Sequence, residues 1–321
     1  MTDETVLITG GTGFIGPYVA ELLLERGHQP VLYDIAADRT VLSKLDIADD
    51  VTLVTGDVAD QTAIDRAVHH HDVTRIIHLA VMRDPPSNPR RAVEVNMGGA
   101  TTVLEAARTF ETIDRVAVAS TEEVYAPLSA YGTETAAETA LVDPQSIYAA
   151  AKLYNERQVD VYTEEYGVDA IALRPTGVYG PYRQSDESGV FRRLFEQPAV
   201  GSDIAVENGD LLVSWLYVRD AARAFVDAVF APDDRLSQRV YNIPGDAATV
   251  GDMASVIESI LEDVTITVTD GGGEWSAQAL DPSAAQADYG YEIEYGRHRG
   301  AKEYINTIRT DNGLSPVTAS E

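Results

Sequence analysis

The sequence predicts an α/β protein, a doubly wound parallel sheet followed by a smaller C-terminal region, and three observations carry that prediction. Apolar, β-rich runs alternate with helix-period segments over the first 175 residues. The first strand runs directly into a glycine-rich turn, Thr9-Gly10-Gly11-Thr12-Gly13-Phe14-Ile15-Gly16, that opens a helix. After Pro175 the pattern loosens into short elements with many glycines and prolines. Strand–helix alternation demands right-handed crossovers, which put helices on both faces of the sheet.

Taken in order, the expected strands are Thr5–Thr9, Pro30–Asp34, Val51–Thr55, Thr74–Leu79, Arg115–Ser120 and Asp169–Arg174. The amphipathic stretches between them, Phe14–Arg26, Gln61–His70, Pro89–Thr109 and Ser146–Tyr166, read as helices, with two more at Val218–Val229 and Val250–Glu262. The shift in composition divides the chain into a unit over residues 1–180 and a second over 181–321, with some chain returning to the first. Gly271-Gly272-Gly273 follows a strand-like run and reads as a turn.

With 321 residues and 45% apolar content, the chain can build one large domain or two fused ones. The absence of cysteine excludes disulfides, thiolate metal sites and a cysteine nucleophile. No apolar run approaches the roughly 20 residues that span a bilayer. The start MTDETVLITG lacks a basic, leader-like stretch, so no membrane partner and a cytoplasmic location are expected. Charge is lopsided: 52 acidic residues against 24 basic ones give −28, and only Lys44, Lys152 and Lys302 are lysines. A polyanion without a basic patch gains nothing by displacing the counterions of a nucleic acid, so no such partner is expected. A carboxylate-rich, lysine-poor surface is similar to those of proteins from a high-salt (halophilic) cytoplasm, where salt screens self-repulsion. Stability is therefore expected to fall at low ionic strength; equal melting temperatures in dilute buffer and molar KCl would refute this.

The glycine turn carries the first chemistry. Gly10 permits the tight turn, Gly13 lets backbone approach a pyrophosphate, and Gly16 lets the helix pack closely on the strand. The helix N-terminus offers that anion free N–H groups and a partial positive charge. Asp34 ends the next strand, 18 residues beyond Gly16, and can accept both ribose hydroxyls. NAD is thus favoured over NADP, whose 2′-phosphate Asp34 would repel, with Arg39 nearby the one feature suited to the phosphate.

Tyr148 and Lys152 stand four apart on a predicted helix and share one face. A cation beside a phenol favours phenolate, lowering its pKa from about 10 and making Tyr148 a proton acceptor for a substrate hydroxyl. With the glycine loop, these residues make the chain resemble the extended short-chain dehydrogenase/reductase family, the NAD-dependent sugar epimerases and dehydratases. The likeness runs nearly end to end: Asp57-Val58 after the third strand, His78-Leu79-Ala80 at the end of the fourth, Asn96 in Val-Asn-Met-Gly-Gly-Ala-Thr, Ser120-Thr121-Glu122-Glu123-Val124-Tyr125, and Arg174-Pro175 with Val178-Tyr179-Gly180-Pro181.

The resemblance implies a Rossmann sheet binding NAD, with a C-terminal substrate-binding region. It places Gly10, Gly13, Phe14, Ile15, Gly16, Asp34, Asp57, Val58, Leu79, Ala80, Asn96, Tyr148 and Lys152 around the cofactor. It assigns catalysis to Tyr148, Lys152 and Thr121, with Ser120 as the fallback hydroxyl and Lys152 also holding the nicotinamide ribose. Family dehydratases carry Thr-Asp-Glu where this chain has Thr121-Glu122-Glu123, so two carboxylates could move protons next to an oxidised sugar; the alternative is solvated loop acids. Thr121, Tyr148, Tyr179 and Arg183 are the candidates for substrate contact, with core packing the alternative for Tyr179, Tyr182 and Trp215.

Two family anchors for a substrate diphosphate are missing: Gly177 replaces an asparagine, and Val213-Ser214-Trp215 replaces a segment that begins with arginine. Arg183, Arg192 and Arg193 are the possible substitutes. The leading expectation is an NAD-dependent epimerase or dehydratase that transiently oxidises a sugar nucleotide. The alternatives are a dehydrogenase or reductase of a free sugar, sugar acid or other small hydroxy compound, and a non-catalytic NAD-binding regulator. The resemblance also implies a homodimer built from the helices around Pro89–Thr109 and Ser146–Tyr166. His69-His70-His71 reads as a solvated helix end, and no metal is expected.

Overall fold

Runs such as VLIT and RVAVA bury side chains on both faces, which requires strands covered by helices above and below. The computed structural model describes residues 4–83, 88–132, 135–183, 190–272 and 276–318. Its first half runs β1 (Thr5–Thr9), α1 (Gly16–Glu25), β2 (Gln29–Asp34), α2 (Thr40–Lys44), β3 (Thr52–Thr55), α3 (Gln61–His70), β4 (Arg75–His78), α4 (Pro89–Val93), α5 (Gly99–Thr109), β5 (Arg115–Ala119), α6 (Ile147–Tyr166) and β6 (Ala170–Pro175). The second half runs β7 (Gly177–Tyr179), α7 (Val190–Ala199), β8 (Ile204–Val206), β9 (Leu212–Tyr217), α8 (Val218–Phe230), β10 (Val240–Ile243), β11 (Asp246–Thr249), α9 (Val250–Ile260), β12 (Ile266–Val268), α10 (Ser283–Tyr289) and α11 (Arg297–Asp311).

Among the described residues the main sheet has seven parallel strands in the order β10-β6-β5-β4-β1-β2-β3. The order reverses between β1 and β4, so the loops leaving their carboxyl ends diverge and open a crevice, the usual ligand position in this architecture. Thr9, the last residue of β1, pairs with Tyr33 on one side and His78 on the other. Two apolar cores lie on the two faces of the sheet.

Chain beyond residue 180 does return to this sheet: β10 pairs with β6, and α8 packs on α1 and the sheet. The remainder forms a small sheet in the order β11-β9-β7, a parallel pair β8–β12, and an aromatic cluster beneath α11. No helix among the described residues is long and apolar enough to cross a membrane. Gly271 and Gly272 do take positive φ after β12, and Gly273 lies outside the described residues.

The helix expected over Pro89–Thr109 is divided. A π-helical turn, Glu94–Gly98, separates α4 from α5. Gly98 and Gly99 weaken the α-helical register there, and the inserted residue turns Asn96 inward, where it is buried. π-turns of this kind often mark functional positions.

Candidate active site

At the mouth of the crevice the glycine turn is pressed against the end of β4. Gly10 has φ of 68°, and a Cβ there would lie 2.8 Å from the Ala80 backbone. A Cβ on Gly16 would lie 2.5 Å from the Gly11 carbonyl, and one on Gly13 would meet the Gly10 carbonyl at 3.1 Å. Only glycine fits this cradle. Ile15, the residue at the N-terminus of α1, has no side chain that could cap the helix; Pro17 has no N–H and the Tyr18 N–H donates to the Ile15 carbonyl at 3.1 Å, so Gly16 is the first-turn residue whose N–H could face an anion. Phe14 is half-buried beside them.

Asp34 is held at the end of β2 by the N–H of Thr12, 3.0 Å away. Asp57 accepts the Ala59 N–H at 3.0 Å and pairs with Arg91. Val58 is buried against Gly99. The Leu79 N–H donates to the Thr9 carbonyl at 3.0 Å, and the Ala80 N–H to the Thr9 hydroxyl at 3.4 Å. Asn96 lies back from the crevice and bonds the Met82 N–H at 2.8 Å and the Met82 carbonyl at 3.0 Å. This cradle, with a carboxylate at the ribose position, fits NAD.

Beyond it, at the ends of β5 and the start of α6, the expected reactive residues converge. The Thr121 hydroxyl donates to Glu122 at 3.1 Å and accepts the Glu123 N–H at 3.2 Å, and it lies close enough to the Tyr148 phenol to favour its ionisation. Ser146 caps α6 through the Ala149 N–H at 3.0 Å, which fixes the first turn that carries Tyr148. Lys152 is buried and donates to the Ala119 carbonyl at 2.6 Å, with its ammonium 5.8 Å from the Tyr148 ring centre.

The expected electrostatics need correction. Burial pushes the Tyr148 phenol up to about 12 and the Lys152 ammonium down to about 8. In the ligand-free protein the phenol is therefore protonated, because desolvation outweighs the nearby cations. The cation that most favours its ionisation is Arg83, whose guanidinium lies 4.9 Å above the Tyr148 ring and bonds Glu123 at 2.9 Å. Glu122 is buried, and that burial, reinforced by the charge of Glu123, lifts its carboxyl to about 7. It is no solvated loop acid.

Ser120, the fallback hydroxyl, faces away from Tyr148. It donates to Glu156 at 2.5 Å, and Glu156 grips the Arg174 guanidinium with both oxygens, at 2.8 and 2.7 Å. Arg174 also donates to Tyr125, which bonds Asn242 on β10 at 2.9 Å. His78 sits beneath the site with Nδ1 2.7 Å from the Thr9 hydroxyl; burial holds it neutral, down to about 3, and its Nε2 has no partner among the described residues.

Tyr179 and Arg183 do not reach the reactive cluster. Tyr179 is fully buried against Phe195, Trp215 and Tyr217, so packing accounts for it and for Trp215. Arg183 folds over Phe191 at 4.5 Å and Phe14 at 5.7 Å, and donates to the Val178 carbonyl. Arg192 pairs with Glu196, and Arg193 donates to the Ala205 carbonyl. Arg83 and Glu156 were not singled out by the sequence, nor was Asn155 on α6, whose amide donates to the Asn96 carbonyl at 2.8 Å. Glu156 had a signal: it follows Tyr148 and Lys152 at the same four-residue interval on one face of α6.

Comparison with known proteins agrees with this geometry. The family model described as NAD dependent epimerase/dehydratase family matches residues 6–244. A dTDP-glucose 4,6-dehydratase from Streptomyces niveus is 28% identical over 331 residues, 98% of this chain and 88% of the relative. The structure of a Thermus thermophilus UDP-glucose 4-epimerase in complex with NAD is 26% identical, covers 95% of this chain and 99% of that one, and superposes with a TM-score of 0.80. An L-threonine dehydrogenase from Cupriavidus necator, at 24% identity, covers 95% of this chain and 99% of its own with a TM-score of 0.81, and shares the fold. A match across most of the chain, on a Rossmann sheet with the fitting cradle, makes this protein a member of the NAD-dependent epimerase/dehydratase family: an enzyme of the extended short-chain dehydrogenase/reductase type whose cofactor is NAD.

Proposed function

We propose that the enzyme oxidises a hydroxyl of a sugar nucleotide transiently and reduces the product again, as an epimerase that returns the hydride to the other face of the ketone or as a dehydratase that also moves protons beside it. The observation that carries this reading is the convergence of Tyr148, Thr121 and Glu122: the Thr121 hydroxyl, beside the Tyr148 phenol, donates to Glu122 at 3.1 Å and so joins an oxidation device to a buried, protonatable carboxyl. NAD, when bound, supplies the hydride acceptor and, when oxidised, a positive charge on its ring. Thr121 and Tyr148 hold the substrate hydroxyl between them, and Tyr148, protonated in the ligand-free protein, takes the hydroxyl proton after losing its own, a loss that the Arg83 charge and the positive ring of the bound cofactor favour. Lys152, fixed on the Ala119 carbonyl, stabilises the phenolate and the ribose side of the site. In a dehydration, Glu123 removes the acidified proton beside the new carbonyl, while Glu122, its carboxyl lifted to about 7, gives a proton to the leaving hydroxyl.

A second reading, a net dehydrogenase of a small hydroxy compound, is favoured by one feature. The position of the missing diphosphate arginine, Val213, is fully buried, and a Cβ on Gly177 would lie 3.1 Å from its side chain. One experiment separates the two. UDP- and dTDP-sugars, free sugars, sugar acids and hydroxy amino acids are incubated in D2O while absorbance at 340 nm is followed. An epimerised or dehydrated product formed without accumulating NADH supports the first reading, with deuterium entering the substrate only where a proton beside the ketone is exchanged; stoichiometric NADH supports the second.

The same reading extends to a homodimer. Ile147, Tyr154 and Val161, seven residues apart, form an exposed apolar stripe along α6. Tyr154→Glu is expected to convert the dimer to a monomer by light scattering.

A further inference from the structure

Resting on the reading above, we propose that Arg83 is the receptor for a carboxylate that the substrate carries next to its reacting carbinol, and that this carboxylate replaces Glu123 on the guanidinium.

The geometry points there from several sides. Arg83 follows Met82, whose N–H and carbonyl are both held by Asn96, so the side chain leaves from a fixed backbone point. Its guanidinium lies 4.9 Å above the Tyr148 ring. A hydroxyl held by Tyr148 and Thr121 therefore brings a substituent one or two bonds away within reach of it. The side chain is 42% exposed, and that of Glu123 is 26% exposed. Such a pair holds weakly and can be exchanged. Arg174 offers the contrast: its side chain is 5% exposed and both oxygens of Glu156 grip it. Arg83 meets Glu123 through Nη2 and Oε1 at 2.9 Å, and a substrate carboxylate could take the guanidinium edge with two parallel bonds instead.

The far end of the site offers no comparable receptor among the residues considered for it. Val213 is fully buried, and Arg183 is folded over Phe14 and Phe191. The exchange has a further effect: it frees Glu123 from Arg83 at the moment the substrate arrives, where a carboxylate base is required.

The test is titration calorimetry on the NAD-loaded protein with probe pairs that differ only in the carboxylate: UDP-glucuronate and UDP-glucose, glucuronate and glucose, L-threonine and L-threoninol. In at least one pair the carboxylate member should bind about tenfold to a hundredfold more tightly, the range of a charge-assisted bond pair. Arg83→Gln should abolish that preference while leaving the neutral member's affinity in place, and Arg83→Lys should restore part of it. Glu123→Gln, which removes the competitor and keeps Arg83, should raise carboxylate affinity several-fold. Equal binding within every pair, no binding by any probe, or an equal loss for both members in Arg83→Gln would each overturn the proposal. Failure of the oxidation mechanism would look different: bound probes would yield no NADH and no epimerised, dehydrated or deuterated product, with the binding preference intact.

Discussion

Ser120 and Thr121 are chain neighbours at the end of β5, yet each belongs to a different cluster of cations and carboxylates. Ser120 joins the sealed cluster of Glu156, Arg174 and Tyr125, buried between α6 and β6 and gripped from every side. Thr121 joins the open one, where Arg83, Glu122, Glu123, Tyr148 and Lys152 gather and where Arg83 and Glu123 stay partly exposed. The same residue types are used in both. Saturation makes the first a structural clasp; imbalance, with a carboxyl and an ammonium both pushed towards neutrality, makes the second suited to proton transfer.

Breaking the open cluster should cost activity, and breaking the sealed one should cost stability. Tyr148→Phe is expected to lower kcat by about a thousandfold or more, the upper range for losing a general acid–base group, with an unchanged melting temperature. Glu156→Ala leaves the Arg174 charge buried and unpaired, and should destabilise the fold by about 3–5 kcal/mol in chemical denaturation, with turnover per folded molecule much less affected.

Glu122 sharpens the contrast through pH. Its folded pKa is raised from 4.5 to about 7, so the stability it contributes is present below pH 4.5 and lost as pH rises through 7. By linkage the swing is up to about 3 kcal/mol. The wild-type melting temperature should therefore drop across that window more steeply than that of Glu122→Gln, measured at one fixed high salt concentration. The smallest effect compares the neighbours themselves. Thr121→Val should lower kcat about a hundredfold, whereas Ser120→Ala should change it by no more than a few-fold in the same assay.

Most of the coenzyme side was legible in the sequence because local backbone demands dictate it. Gly10 and Gly16 must be glycine for contacts a few residues or one strand away, and Asp34 is placed by the end of its own strand. The pairing of Tyr148 with Lys152 followed from helical spacing in the same way. What spacing does not encode is the balance of desolvation against charge, which here reverses the expected direction for the phenol. Nor does it encode which aromatic residues meet across the chain: Tyr179 and Trp215 pack on each other and on Phe195 through distant elements. Arg83 lies in a loop with no periodic pattern, so only the fold brings it over Tyr148.

The carboxamide of Asn96 has one more consequence. A side-chain amide carries the same donor and acceptor as a peptide unit, and here it meets both polar groups of Met82 as an adjacent strand would. It acts as a surrogate rung that prolongs the ladder past the last true pairing of β4. Aspartate, with no N–H to offer the Met82 carbonyl, could not stand in for it.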